Sequence, residues 1–289
     1  MGLTVREQLL LWWGRLHIGE VIRRRAVLWE LRRIISAWSR VTPSRSPSAV
    51  EGEKSLRVLD AGCGRGDIAI GIARRYPDIR VDAVDIDPKL VELVRRRIAN
   101  LKLRNVRVCA GDIETFSYAS PSRSPSSEGE KTQYAIIYSV DVFEHLRDPS
   151  AALQNLAAAL APGGTLLIHV PRAMQRRFFR RFEQYEQHDH ERDGFEPEEL
   201  RELVRVAGLT VQDIRHTFGP PGALAWELFH LASGVGKWFV LLIYPVPWTL
   251  AWIDGMFRWE RGNGMLVVAR RREIPNDEFL MTNQIPMSK

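Results

Sequence analysis

The sequence predicts an α/β fold: a doubly wound, mostly parallel sheet of seven strands, with helices ahead of it and an apolar helical insertion before the last strand. Three observations carry that expectation. A short apolar run from Leu56 to Leu59 ends in Asp60, crosses glycines at alternate positions (Gly62, Gly64, Gly66) and enters a helix-like segment, Ile68 to Arg75. Strand-like and helix-like stretches then alternate as far as residue 217, the pattern of βαβ units. With 289 residues, 45% hydrophobic and 26% charged, the chain can bury one full core with elaborations.

Residues 4–40 read as one long helix or two shorter ones, with Gly19 as the joint. Val27, Leu28, Leu31, Ile34, Ile35 and Trp38 recur at three- and four-residue steps and form one apolar stripe, with Arg25, Arg32, Arg33 and Arg40 on the other side. Two readings stand open for residues 1–42: a lid packed on the main domain, or a basic amphipathic element lying on an anionic bilayer. Two near-copies of a Pro-Ser-Arg-Ser-Pro-Ser segment follow, at 43–54 and within 117–132. Neither has an apolar face to bury, so both read as solvated loop insertions, with phosphorylation of the Ser-Pro pairs a lesser alternative.

The glycine spacing is G-x-G-x-G, and Asp67 stands where a dinucleotide fingerprint needs its third glycine. A carboxylate before the turn, Asp60, would repel a pyrophosphate but suits an amino group or a sulfonium. Strand two, Arg80 to Asp85, ends in an acid about 20 residues beyond the turn, where it can accept from both hydroxyls of a ribose. Asp87, next to Pro88, reads as the cap of the helix Leu90 to Ala99. Strand three, Val106 to Ala110, runs into Gly111-Asp112-Ile113. Strand four, Tyr134 to Ser139, runs into Val140-Asp141-Val142-Phe143-Glu144-His145. A helix over Ala151 to Leu160 leads to a Pro162-Gly163-Gly164 turn and strand five, Thr165 to Val170. Pro197 opens the next helix, before strand six, Leu209 to Thr217, and a final strand, Gly264 to Ala269.

In this order the motifs resemble the class I S-adenosylmethionine-dependent methyltransferases, in the small-molecule branch that includes the ubiquinone-pathway O-methyltransferases. The resemblance covers roughly residues 55–217 and the last strand, within a domain bounded at 55–272. It implies a Rossmann-like sheet and S-adenosylmethionine as cofactor. Asp60, Gly62, Cys63 and Gly64 would line the methionine end, Asp85 the ribose, and Ile86 the adenine; Asp112 would meet the adenine amino group with Ile113 adjacent, and Ser139 would complete the set. On the acceptor side the resemblance implies Glu144 and His145 as the catalytic pair; a histidine that only anchors the loop is the alternative for His145. Asp141, Glu144 and His145 match positions that can hold a divalent cation in those relatives. An aspartate stands where a glutamate is usual, so no metal is assigned. The expected acceptor is small or lipophilic and is methylated at a hydroxyl. The rivals are a nucleic-acid methyltransferase and a catalytically silent cofactor-binding scaffold at a membrane. A nucleic-acid partner is not expected, because Ser139-Val140-Asp141 replaces the Pro-Pro-aromatic signature of base methylation.

Between strands six and seven lie roughly 45 very apolar residues, 219–263. Trp238 to Ile253 is shorter than the ~20 residues a membrane span needs and is broken by Pro245 and Pro247. It reads as helices at Ala223–Ser233, Lys237–Tyr244 and Trp248–Phe257. All nine tryptophans lie outside the expected cofactor sheet, so the N-terminal helices and the insertion are expected to meet as a cap. A self-contained mini-core, a face for a membrane or lipophilic acceptor, and a homodimer surface remain open for it. The net charge of +6 raises the odds of an anionic partner. Cys63 and Cys109 suggest no disulfide framework, and no signal peptide is evident. The expected location is the cytoplasm, with peripheral contact at the inner membrane surface as the further possibility. His188, Asp189, His190 and Glu191 read as a polar loop rather than a metal cluster. Arg176, Arg177, Arg180 and Arg181 form a solvated basic face or a phosphate contact, and residues 273–289 a tail.

Overall fold

The computed structural model describes residues 13–14, 16–41, 56–115, 133–182 and 191–272. The expected helix over 4–12, the insertions at 43–54 and 117–132, the cluster His188-Asp189-His190 and the tail at 273–289 lie outside the described residues.

Seven strands form one sheet: β1 (Arg57–Ala61), β2 (Arg80–Asp85), β3 (Val106–Ala110), β4 (Tyr134–Val140), β5 (Leu160–Pro171), β6 (Leu209–Thr217) and β7 (Gly264–Arg271), in the order β3-β2-β1-β4-β5-β7-β6. Only β7 runs antiparallel, between β5 and β6. The central strands are covered on both faces, as the continuous burial of β4 from Tyr134 to Ser139 requires. Helices α2 (Asp67–Arg75), α3 (Pro88–Asn100), α4 (Pro149–Ala159) and α5 (Pro197–Val206) complete the doubly wound domain. Strand order reverses beside β1, which pairs with both β2 and β4, and such a switch point opens a crevice at the carboxyl ends of the strands. Asp87 caps α3 by accepting from Lys89 N at 2.7 Å, and Asp148 caps α4 by accepting from Ala151 N at 2.9 Å.

Three boundaries depart from the sequence reading. Strand β5 begins at Leu160 rather than Thr165. The expected Pro-Gly-Gly turn is absorbed as an irregularity in the β4–β5 ladder, because Gly163 takes φ +72° and Gly164 packs against the carbonyls of Ala161 and Tyr134. The N-terminal joint falls at His17, and helix α1 (Ile18–Val41) runs unbroken through Gly19. The insertion folds as α6 (Pro220–Val235), α7 (Lys237–Ile243) and α8 (Pro245–Asp254), with Pro245 opening α8 instead of preceding it.

The stripe of α1 is divided between two cores. Val27, Leu31, Ile34 and Ile35 join Val58, Ile136, Tyr138 and Leu167 on one face of the sheet. Ile18 and Ile22 join Phe218, Ala225, Phe229 and Val240 of the insertion. Each such side chain contributes about 1.5–3 kcal/mol when fully buried, so α1 is fastened to the domain as a lid. The two accessory elements do meet. Buried Asp254, at the end of α8, accepts from Phe218 N and Gly222 N, both at 3.2 Å, and so ties α8 to the start of α6. Among the described residues no helix is long and apolar enough to cross a membrane.

Candidate active site

The turn after β1 is built on glycine for a steric reason. Gly62, Gly64 and Gly66 hold φ of +85°, +52° and +70°, a region that residues with a Cβ rarely adopt. Gly62 N and Cys63 N both donate to Val84 O at 2.8 Å, pinning the turn to β2. A Cβ at Gly62 would strike Val142 and one at Gly66 would press on Val94, whereas one at Gly64 would meet nothing among the described residues. The half-buried backbone at Gly64 therefore has room beside it for a ligand to approach. Arg97 braces the turn from below, donating to Arg65 O and to Asp67 Oδ1.

Around that turn the structure gathers Asp85 and Ile86. The Asp85 carboxylate accepts from Gly64 N at 2.6 Å and from Asp87 N at 3.0 Å, and Ile86 beside it is 71% exposed. Asp112 follows on from β3, whose Gly111 N donates to Asp85 O; its carboxylate accepts from Glu114 N at 2.8 Å. Asp60 lies under the turn, 4% exposed, and accepts from the Tyr138 hydroxyl at 2.8 Å. Burial pushes its carboxyl up to about 7, with the hydroxyl opposing and Asp85 adding to the rise. Burial likewise pushes the Cys63 thiol up. Ser139 and Ile113 are turned inward: the Ser139 hydroxyl donates to Ala61 O at 2.8 Å, fastening β4 to β1, and Ile113 sits in the core.

On the other side of the crevice, the residues after β4 meet α1. Asp141 takes φ +51°, an uncommon conformation for a non-glycine residue and one that tends to mark functional sites. Its carboxylate accepts from the Arg23 guanidinium of α1 and lies 2.6 Å from His169 Nδ1. Burial raises the Asp141 carboxyl, but Arg23 and His169 outweigh it and bring the group down to about 2. An ionised Asp141 makes Nδ1 of His169 the donor. With a neutral ring, His169 Nε2 accepts from the Thr217 hydroxyl, 2.9 Å away.

Glu144 and His145 share the short 3₁₀ turn Phe143–His145 yet face opposite ways. Glu144 is 1% exposed, and its Oε2 has no hydrogen-bond partner among the described residues. Burial, and then the nearby Asp141, hold its carboxyl well above the usual carboxylate range. His145 is exposed. Among the described residues no three His, Cys, Asp or Glu side chains are grouped to hold an ion, and Asp141 is already engaged by Arg23 and His169. Among the described residues Asp141, Glu144 and His145 therefore do not form a ligand set. Near the same end of α1, the His17 ring lies 4.9 Å from Phe229 and 5.1 Å from His230. Burial, followed by His230, lowers His17 to about 3, so its ring is neutral at ordinary pH.

Arg23, His169 and Thr217 are the residues that sequence reasoning missed. His169 carried a signal, a lone histidine between Ile168 and Val170 in an apolar strand. Arg23 carried none: it is one of three consecutive arginines, Arg23 to Arg25, and only the fold selects it.

Comparison with known proteins places this geometry. Residues 28–214, more than half of the chain, match the family described as methyltransferase domain. Trans-aconitate 2-methyltransferase of Methylobacterium radiotolerans is 32% identical over 113 residues, 39% of this chain and 37% of that protein. Ubiquinone biosynthesis O-methyltransferase of Xanthomonas campestris pv. campestris is 28% identical over 167 residues, 55% of this chain and 64% of that protein. The chain thus spans little more than a third of the first of these curated relatives and just under two thirds of the second. Phosphoethanolamine N-methyltransferase 2 of Haemonchus contortus, solved with S-adenosyl-L-methionine, superposes with a TM-score of 0.55 at 15% identity, over 84% of this chain and 53% of that one, a likeness of fold. The chain belongs to the methyltransferase-domain family, the class I S-adenosylmethionine-dependent group that its motifs resemble.

Proposed function

We propose that the chain transfers a methyl group from S-adenosylmethionine to a hydroxyl oxygen of a small or lipophilic acceptor. The observation that carries this reading is the glycine turn, with room at Gly64, the Asp85 carboxylate accepting from Gly64 N, and Asp60 buried beneath the turn near Asp85. A cationic sulfonium compound with a free ribose fits that charge, and a diphosphate does not. In this reading Asp85 accepts from the ribose hydroxyls and Ile86 covers the adenine, which accounts for an apolar side chain left exposed at a strand end. Asp112 borders the adenine, with Ile113 in the core behind it. Asp60, Gly62, Cys63 and Gly64 hold the methionine end, and Ser139 keeps β4 against β1 beneath it.

When bound, the cofactor supplies an electrophilic methyl group, and the chain's task is alignment, exclusion of water and removal of one proton. Glu144 Oε2, buried and without a hydrogen-bond partner among the described residues, is the atom proposed to take the acceptor's proton. A carboxyl held neutral by burial ionises more readily beside a positive charge, so loading of the site and strength of the base are linked. His145, exposed on the same turn, is the second candidate and would relay the proton to water. Asp141 is committed to Arg23 and His169 and acts as a positioning residue. An oxygen acceptor is favoured by relatives named O-methyltransferases, among them the ubiquinone-biosynthesis protein and a malonyl-[acyl-carrier protein] O-methyltransferase of Halalkalibacterium halodurans.

Calorimetry with S-adenosylhomocysteine and with NADH tests the cofactor assignment: tight binding of the first and none of the second is expected, and the reverse would overturn it. Incubation with methyl-labelled cofactor and fractionated aqueous and lipid extracts then identifies the acceptor fraction. Label in nucleic acid alone would overturn the acceptor class.

A further inference from the structure

We propose that α7 and α8 form a docking face for a lipid bilayer carrying anionic headgroups. From Val235 to Phe257 the chain holds only two charged residues, Lys237 and Asp254. Asp254 is buried, so the outward surface of this segment bears a single charge, and that charge is positive. Trp238 and Leu242, one turn apart on α7, are each 75% exposed, and Val246 continues the row. On α8 the same spacing exposes Trp248 and Trp252, with Met256 just beyond. Each helix meets its modest packing needs elsewhere, α7 through Val240 and α8 through Pro247 and Ala251. The outward rows are therefore surplus to the fold, and exposed apolar side chains aligned in rows of this kind mark an interaction site.

The chemistry of the rim selects the partner. Lys237 lies 5.6 Å from the Trp238 ring. Arg25 of α1 lies 5.1 Å over the Trp252 ring and donates to the Trp252 carbonyl at 3.0 Å. Tryptophans beside cations, with apolar side chains between them, suit the headgroup level of a bilayer, where such helices lie in plane and bury 5–10 Å deep. At seven and ten residues the helices are too short to span, so they lie along the surface. A second copy is the less favourable occupant. A two-fold contact lays the same surface against itself, which brings the Lys237 and Arg25 rims face to face, whereas anionic headgroups neutralise them. The face also lies beyond residue 214, where the family match ends.

The test uses the full chain with sedimented vesicles of phosphatidylcholine alone or mixed with phosphatidylglycerol. Binding to the anionic vesicles, a blue shift of tryptophan emission and weakening by salt are expected. The double variant Trp238→Ser/Leu242→Ser should lower partitioning about 100-fold, roughly tenfold or more for each side chain. Its thermal unfolding and its binding of S-adenosylhomocysteine should match wild type, since both side chains face outward. That control separates loss of docking from misfolding and from failure of the cofactor assignment. Wild-type protein that stays in the supernatant, or a variant that sediments equally well, overturns the proposal. So does a wild-type dimer in solution that the variant converts to monomer, because the face would then be covered by a second copy.

Discussion

Replacing Asp60 with asparagine should stabilise the ligand-free protein while weakening its hold on the cofactor. In the fold this carboxyl is lifted from 3.8 to about 7, chiefly by burial. Each pH unit of separation is worth about 1.4 kcal/mol, so an ionised Asp60 costs the empty fold up to about 4 kcal/mol. The folded value lies above the unfolded one. The penalty is therefore absent below the ordinary carboxylate range, grows as pH rises towards 7, and is constant above it. Asparagine keeps an oxygen for the Tyr138 hydroxyl and carries no charge. If half the penalty is recovered, about 2 kcal/mol, the melting temperature at pH 8 should rise by roughly 4–8 °C, with the gain shrinking towards pH 4. In the proposed complex the ligand's ammonium group favours ionised Asp60. Wild-type affinity for S-adenosylhomocysteine should accordingly increase about tenfold between pH 6 and pH 8, and the Asp60→Asn variant should bind more weakly with no such slope. Thermal melts and calorimetry across this range check both halves. A variant that melts below wild type at pH 8, together with a flat wild-type binding profile, would refute the reasoning.

The acceptor side yields three further expectations. Arg23→Ala leaves ionised Asp141 without its guanidinium, so stability should fall by about 3 kcal/mol and kcat/KM with it, while affinity for S-adenosylhomocysteine holds; a lower melting temperature with unchanged turnover would reduce α1 to a structural strut. Glu144→Gln should lower kcat by at least about 100-fold and abolish the limb of the pH–rate profile that rises as this carboxyl loses its proton. A variant that keeps that limb would transfer the role to His145. Treatment with EDTA should leave turnover intact, because Asp141 is held by Arg23 and His169; activity lost to chelation and restored by a divalent ion would reverse that assignment.

The glycine turn and the strand ends around it were legible because each part of them is local. Three glycines at alternate positions announce a turn whose dihedrals exclude a Cβ, and Gly62, Gly64 and Gly66 all take positive φ. Asp87 before Pro88 could be assigned as a cap from its neighbours alone, and it caps α3. Where the reading slipped, a distant contact overrode a local signal. Pro162-Gly163-Gly164 has the composition of a turn, but pairing of Leu160 with Tyr134 draws it into β5. Ser139 and Ile113 were placed at the ends of the right strands. Which way their side chains turn depends on neighbours in other strands and helices.

The cluster after β4 was opaque for the complementary reason. Arg23 and Asp141 are separated by 118 positions, and His169 and Thr217 by 48, so no window along the chain contains the constellation. The family match begins at residue 28, leaving Arg23 outside it, and ends at 214, leaving Thr217 and all of α6 to α8 outside as well. Parts of the chain beyond the matched residues therefore complete this cluster, and they do so through packing: Ile18 and Ile22 of α1 lock against Phe229 and Val240 of the insertion, and Arg23 on the same helix meets Asp141. The same helix holds Trp252 of α8 against Arg25, so the position of α8 and the arginine paired with Asp141 are fixed by one element.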